Sequence, residues 1–282
     1  MLLTSIAILS LAAGAVVCLC SGAAGLAWLW MLPLSFAGSF LALLLLALLF
    51  LWAACALVDT GKPQEHDSPF YRGLISLYAP LACSILRMRV HTKGLENTPK
   101  EGRFLLVCNH LSNFDPVVLI NYFRKSQLAV ISKRENASMF VIGKLMHKIM
   151  CQMINRENDR EALKTILKCI QLIKDDECSV AVFPEGYCSR DGKLQHMRSG
   201  VFKIATKTNV PIAVCTIRNT NQVMHNLKRL KPTDIYLDLV EVIPPENLKG
   251  QTAVDIGSHV FQVMLKDMGP EYTPVWLETN NE

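Results

Sequence analysis

The segment Cys108-Asn109-His110-Leu111-Ser112-Asn113-Phe114-Asp115-Pro116 sets an imidazole and a carboxylate five positions apart, where an apolar run gives way to a helix-like stretch. A carboxylate accepting from one imidazole nitrogen fixes the tautomer and leaves the other nitrogen to act as a general base. Five residues along an α-helix put two side chains about 140° apart. His110 and Asp115 therefore meet only if residues 110–114 fold back as a turn. The same residues support a plainer reading. Asp115 followed by Pro116 is a good helix start, with the Asp as N-cap, and His110 then serves only its own loop.

A second segment, Val182-Phe183-Pro184-Glu185-Gly186, ends another apolar run. The Pro stops a strand ladder and the Gly permits an unusual turn, so Glu185 is presented at the strand's C-terminal edge. An ordinary strand-to-loop turn would look the same. The other six histidines (His66, His91, His147, His196, His225 and His259) have no comparable setting. The ten cysteines are scattered, with no C-x-x-C pair or Cys/His cluster at zinc spacing, so they read as small buried hydrophobes and no metal is expected. No Gly-x-Ser-x-Gly elbow offers a serine nucleophile.

Elements that would carry these residues follow from the apolar pattern. The runs Phe104–Cys108, Leu128–Ser132, Ser179–Phe183, Pro211–Ile217 and Ile235–Ile243 have strand length and are rich in Val, Ile and Phe. Between them lie helical patterns at Pro116–Lys125, Arg160–Lys174, Val201–Lys207 and Val254–Lys266, the second with Leu163, Ile166, Leu167, Ile170 and Ile173 on one stripe. Strands alternating with helices predict an α/β fold, a mixed sheet covered by helices, over residues 88–282.

Upstream the chemistry changes. Residues 1–58 contain no Lys, Arg, Asp or Glu, so all 29 basic and 24 acidic side chains, and the net charge of +5, belong to residues 59–282. One membrane span needs about 20 residues, and two spans with a tight turn roughly 45–55. The uncharged run predicts a transmembrane or membrane-embedded helical hairpin, Leu3–Trp28 and Ser35–Val58, broken near Met31-Leu32-Pro33-Leu34. Trp28, Trp30 and Trp52 suit interfacial positions. A cleaved signal peptide fits less well, since the apolar core is too long and no Lys or Arg precedes it. Basic residues lie only after the second span, which predicts a cytoplasmic domain on a membrane anchor. Residues 59–87 read as a polar linker and a juxtamembrane helix over Phe70–Leu86, either interfacial or part of the domain core. The positive surplus suits anionic lipid headgroups, and no nucleic-acid partner is expected.

Asn-His-(four residues)-Asp at 109–115, with Phe-Pro-Glu-Gly at 183–186, resembles the glycerolipid acyltransferase family that contains 1-acylglycerol-3-phosphate acyltransferases. Lys133 in Ile131-Ser-Lys-Arg-Glu135, Arg156 in Ile154-Asn-Arg156 and the strand Val210-Pro-Ile-Ala-Val214 match further family landmarks, and the likeness covers roughly residues 88–220. The resemblance implies that His110 takes the proton of the acceptor's free hydroxyl while Asp115 orients the imidazole. The alkoxide would then attack the donor thioester directly, without an acyl-enzyme. It implies that Lys133 and Arg156 bind the acceptor's phosphate and that Glu185 and Gly186 belong to the acceptor site. The donor would be acyl-CoA or acyl-carrier protein, the acceptor a lysophospholipid in the membrane, and no cofactor is implied. One departure stands out. The family's Phe-Pro-Glu-Gly-Thr-Arg-Ser here continues Tyr187-Cys188-Ser189, so a Cys replaces the Arg; either Arg190, two residues on, supplies the phosphate contact or the acceptor preference differs. That departure keeps another lysophospholipid acceptor open. A lipid hydrolase or thioesterase, or a non-catalytic membrane scaffold, are the readings from other classes.

Overall fold

The computed structural model describes residues 2–22 and 25–278. It divides into two compact units, residues 1–61 and 62–282.

The first unit is two apolar helices, α1 (Leu2–Cys20) and α2 (Trp28–Ala56), each long and apolar enough to cross a membrane. α1 ends at Cys20 and α2 starts at Trp28, so the break comes earlier in the chain than the proline-based expectation. Gly22 and Gly25 both take positive φ there, a region L side chains avoid, whereas Pro33 lies inside α2. A glycine pair capable of left-handed backbone ends the first helix more effectively than one proline ends the second. The helices run antiparallel along small residues. Ser39 Oγ donates to the Ser10 carbonyl at 3.2 Å, and a Cβ added at Gly14 would meet Ser35 Oγ at 3.1 Å. Small residues spaced four apart on both helices let the backbones approach closely.

The second unit holds a seven-stranded sheet: β1 (Met88–Lys93), β2 (Leu105–Cys108), β3 (Leu128–Lys133), β4 (Gln152–Ile154), β5 (Ser179–Val182), β6 (Ile212–Arg218) and β7 (Thr233–Ile243). The spatial order is β1-β7-β6-β2-β5-β3-β4. Every neighbouring pair is parallel except β6–β7, which is the expected mixed α/β architecture. β1 and β4 had no expected counterpart. β1 reads Met-Arg-Val-His-Thr-Lys and β4 is three residues long, so neither offers a sustained apolar run.

Helices cover both faces. α3 (Pro69–Ile85) and α4 (Asp115–Tyr122) lie on one, α6 (Asp159–Lys174), α7 (Lys203–Thr208) and α10 (Ala253–Met268) on the other, and shorter helices are α5 (Phe140–Lys148), α8 (Val223–Lys228), α9 (Pro245–Leu248) and α11 (Val275–Glu278). Alternation within β2 shows why its run is continuously apolar. Leu106 and Cys108 face a core with Val118 and Leu119 of α4, and Leu105 and Val107 face Ile166 and Cys169 of α6 and Val260 of α10. Strands buried on both faces have no polar side to show.

α3 belongs to this core. Its Leu74, Tyr78, Leu81 and Cys83 are buried. Arg72 pairs with Asp67 and donates to the carbonyls of Leu128 and Ile149. The second compact unit, from Lys62 on, therefore includes α3.

Candidate active site

Five consecutive parallel strands, β6-β2-β5-β3-β4, end at one edge of the sheet, and each delivers a residue there. Register makes this unavoidable. Val107 of β2 pairs with Val182 of β5 and with Val214 of β6, so the residues just beyond β2 and β5 emerge side by side. The C-terminal edge of parallel strands is where open α/β sheets place their ligands.

Past β2, the chain folds back as the turn that His110 and Asp115 require. Asp115 is the first residue of α4, and Phe114 precedes it without a side-chain cap. The Asp115 carboxylate points backwards instead of capping. Its Oδ2 accepts from the backbone N–H of Leu111 at 2.7 Å and of Ser112 at 2.8 Å, and lies 2.8 Å from His110 Nδ1. Its Oδ1 accepts from the Thr220 hydroxyl. Thus the N-cap reading is overturned: the carboxylate organises the 110–114 turn and the imidazole. Asp115 is 0% and His110 7% exposed. A carboxylate only accepts, so this network assigns the proton to Nδ1 and leaves the Nε2 lone pair facing outward. Phe183 stacks on the ring, centroids 4.2 Å apart.

Next to this turn, β5 ends in Pro184-Glu185-Gly186. Glu185, expected among the acceptor contacts, lies beneath the site at 1% exposure. One carboxylate oxygen accepts from the His110 backbone N–H at 2.7 Å and the other from Gln195 N–H at 3.1 Å. Burial pushes its carboxyl up to about 8. Its role is to fix the backbone that carries the imidazole. Gly186 has φ +81°, and a Cβ there would meet Arg198 Nε at 3.0 Å, so the position requires glycine.

His110, Lys133, Arg156, Tyr187, Cys188 and Arg190 open onto one cavity of about 430 Å³. Lys133 ends β3, and Arg156 follows β4. Of the groups expected to bind substrate, these two and Arg190 share the cavity with the imidazole. Burial pushes the Arg156 guanidinium down from its ordinary range, with Arg198 adding to the effect, so an anion there would relieve an existing cost. A second cavity of about 480 Å³ adjoins it, sharing Ile131, Arg156 and Phe183. Its wall is largely aliphatic, with Ile154, Leu163, Ile166, Val182 and Val201, and it includes Gly186. Among the described residues no His/Cys/Asp/Glu group could hold a metal ion.

Three residues make contacts at the dyad that the sequence did not indicate. Thr220, from beyond β6, supports Asp115. Asn109 exchanges hydrogen bonds with Ile217, accepting from its N–H at 2.7 Å and donating to its carbonyl at 2.9 Å, which pins the His110 loop to β6. Cys188 Sγ lies 3.1 Å from His110 Nε2. Asn109 stood inside the recognised motif, where its side chain could have been questioned. Nothing local marked Thr220.

Residues 89–218 match the family described as Acyltransferase, a span running from β1 through β6. The chain is 31% identical over 184 residues to the probable 1-acyl-sn-glycerol-3-phosphate acyltransferase of Mycoplasma pneumoniae, covering 64% of this chain and 66% of that one. It is 33% identical over 174 residues to a chloroplast 1-acyl-sn-glycerol-3-phosphate acyltransferase of Brassica napus, covering 60% and 49%. The matched region thus spans about half to two thirds of these curated relatives. The crystal structure of the 1-acyl-sn-glycerophosphate acyltransferase of Thermotoga maritima superposes with a TM-score of 0.59 at 23% identity, over 70% of this chain and 77% of that one, and so shares its fold. With the His110–Asp115 turn inside the matched span, residues 89–218 form a domain of the acyltransferase family.

Proposed function

We propose that this protein transfers a fatty acyl group from an acyl thioester, acyl-CoA or acyl-carrier protein, to the free hydroxyl of 1-acylglycerol-3-phosphate, making phosphatidate. The observation that carries this reading is the shared cavity, with an Asp-oriented imidazole nitrogen at one wall and three cationic side chains, Lys133, Arg156 and Arg190, on the others.

A hydroxyl entering this cavity gives its proton to His110 Nε2, and the imidazolium formed is stabilised by Asp115. The oxygen attacks the acyl carbonyl carbon, and the carrier's sulfur leaves with the proton. Positioned general-base catalysis of this kind contributes about 10²–10⁴-fold, and the remainder comes from holding both reactants in line. The guanidinium of Arg156 offers a bidentate fork for a phosphate and Lys133 a point charge. The aliphatic cavity beside them suits a fatty chain. Residues 1–58, without a charge and with all basic residues after them, support a membrane anchor with the domain on the cytoplasmic side, where a lipid acceptor is within reach.

Purified full-length protein given lysophosphatidate and labelled acyl-CoA should form labelled phosphatidate, and the His110→Ala protein should not. Free fatty acid as the sole product would instead indicate a hydrolase, and an equal background in both proteins a scaffold. Replacing lysophosphatidate with lysophosphatidylcholine tests the headgroup, because Cys188 stands where the family pattern has an Arg. Acyl-carrier protein as donor distinguishes the two carriers. Protease added to sealed inside-out vesicles should digest the domain if it is cytoplasmic.

A further inference from the structure

Direct attack of the acceptor on the donor requires both to be bound at once, and both carry phosphate. The cations of the two adjoining cavities divide accordingly. Lys133 and Arg190 line the cavity of His110 and not the one beside it, whereas Arg198 and Lys203 line the second cavity and not the first. Arg156 stands in the wall between them. The lining of the second cavity sets these three cations against one acidic residue, Asp159. Among the described residues no carboxylate forms an ion pair with Arg156, Arg198 or Lys203. Arg198 is held in place. Its backbone N–H donates to the Pro184 carbonyl at 2.8 Å, and its side chain lies over Gly186, where an added Cβ would meet Nε at 3.0 Å. Nη1 donates to the Arg156 carbonyl at 3.3 Å, which leaves the other guanidinium N–H groups for a ligand. Arg198 adds to the cost of keeping the half-buried Arg156 charged, and an anion here offsets that cost. Arg198 and Lys203 are exposed while Ile166 and Val182 are buried, so the cations stand at the cavity's opening and the aliphatic wall lies deeper.

We propose that Arg198 and Lys203 form a subsite for the phosphate of the acyl donor, separate from the subsite that takes the acceptor's phosphate. This rests on the acyl-transfer reading above and names the part of the donor that the protein recognises. Acyl-CoA and acyl-carrier protein present the thioester on the same pantetheine arm, and in both that arm ends in a phosphate. A guanidinium offers this phosphate a two-pronged fork and an ammonium a point charge, so one subsite serves either carrier. The second cavity thereby holds two parts of one molecule, the fatty chain along Leu163, Ile166 and Val182 and the anionic arm at the opening. Separate cations keep two like-charged substrates from competing for Lys133 and Arg190. They also hold the thioester beside His110 while the hydroxyl approaches, which is where alignment contributes to the rate.

The test gives full-length protein in detergent micelles three palmitoyl thioesters: of CoA, of acyl-carrier protein, and of pantetheine, which is the arm without its phosphate. Lysophosphatidate is the acceptor throughout. In the wild-type protein kcat/KM for the phosphorylated donors should exceed that for palmitoyl-pantetheine. Arg198→Ala and Lys203→Ala should each shrink this preference by about 10- to 100-fold, through the donor's KM, and KM for lysophosphatidate should move far less. Arg198→Lys, which keeps the charge, should recover part of the preference. Loss with both phosphorylated donors supports the subsite and assigns it to the pantetheine phosphate; loss with palmitoyl-CoA alone supports it and assigns it to the nucleotide's phosphates. Loss with the carrier protein alone marks a contact between proteins and overturns the proposal. Thermal melts identify any variant that fails to fold, and Lys203→Ala decides the matter if the arginine variant is lost through its contact with the Gly186 turn. An unchanged donor preference in folded variants, or an effect confined to KM for lysophosphatidate, overturns the proposal and leaves acyl transfer standing. No lipid product from the wild-type protein with any donor would instead overturn the acyl-transfer reading itself.

Discussion

Asp115 collects hydrogen bonds from His110, Leu111, Ser112 and Thr220 on two oxygens, so its charge both shapes the turn and orients the ring. Asp115→Asn keeps the volume but sets an amide N–H₂ against donors. Its kcat should fall by about 10²–10⁴-fold, with a smaller change in KM and a measurably lower melting temperature. Thr220→Val is the sharper probe, because it touches neither the imidazole nor the cavity. It leaves one buried carboxylate oxygen without its donor, which should cost about 1–3 kcal/mol in a denaturant titration. An unchanged midpoint would mean that Thr220 is incidental. Glu185 carries a pH dependence. Its carboxyl is held by burial at about 8 against an ordinary 4.5, so the folded state binds this proton more tightly than the unfolded one. The associated stability is fully present below pH 4.5 and is lost as pH rises through about 8. Melting temperature should therefore decline across that window more steeply in the wild-type protein than in Glu185→Gln. Parallel slopes would assign the decline to other groups.

At the scale of elements, the site is the consequence of strand order. His110, Glu185 and Lys133 are far apart in sequence, yet β2, β5 and β3 are neighbours running the same way, and each residue lies just beyond or at its strand's end. The apolar runs of β2, β3, β5 and β6 were legible because strands buried on both faces show few polar side chains, whereas β7 carries Asp238 and Glu241 within its run; α6 was legible as a helix, though Leu163 and Leu167 of its expected stripe are exposed. β1, with its alternating polar side chains, and β4, three residues long, were not legible, because their place at the sheet's edges is decided by neighbours and not by their own composition. The contact of Thr220 with Asp115, 105 residues apart in sequence, was illegible for the same reason. α5 provides a test at this scale. Its Gly143 packs so closely on the 3₁₀ turn Arg134–Ser138 that an added Cβ would meet the Ala137 carbonyl oxygen at 2.1 Å. That turn carries Asn136 to the cavity wall. Gly143→Ala should destabilise by about 1–3 kcal/mol, the usual cost of overpacking. It should also raise KM for the lipid acceptor more than it lowers kcat, since the His110 turn is held by other strands. Equal effects on both constants would show that the turn communicates with the imidazole.

For the whole molecule, the clearest signal was the absence of charge before Asp59, a property of composition that needs no contacts to be read. The position of the turn was harder to read, because proline and glycine compete as breakers and only the backbone shows which prevails. α3 was harder still: Leu77 is exposed while Leu74, Tyr78 and Leu81 are buried, and a membrane surface or a protein core would select the same stripe. The hairpin has a direct consequence for how the protein is held. Both helices present leucines outward, Leu41, Leu45 and Leu49 among them on α2, which is costly in water and favourable in hydrocarbon. Placing an arginine at the centre of such a span costs about 2.5–3.5 kcal/mol of insertion free energy. Leu45→Arg should therefore raise the fraction that alkaline carbonate releases from the membrane above the wild-type value, without full release because α1 is unchanged. A Leu45→Ala control separates charge from lost area, since it removes only a few methyl groups and should remain membrane-bound. If the arginine variant stays with the membrane as completely as the alanine one, α2 does not cross the hydrocarbon at that depth. An interfacial position for the second helix would then replace the span, with α1 as the remaining anchor.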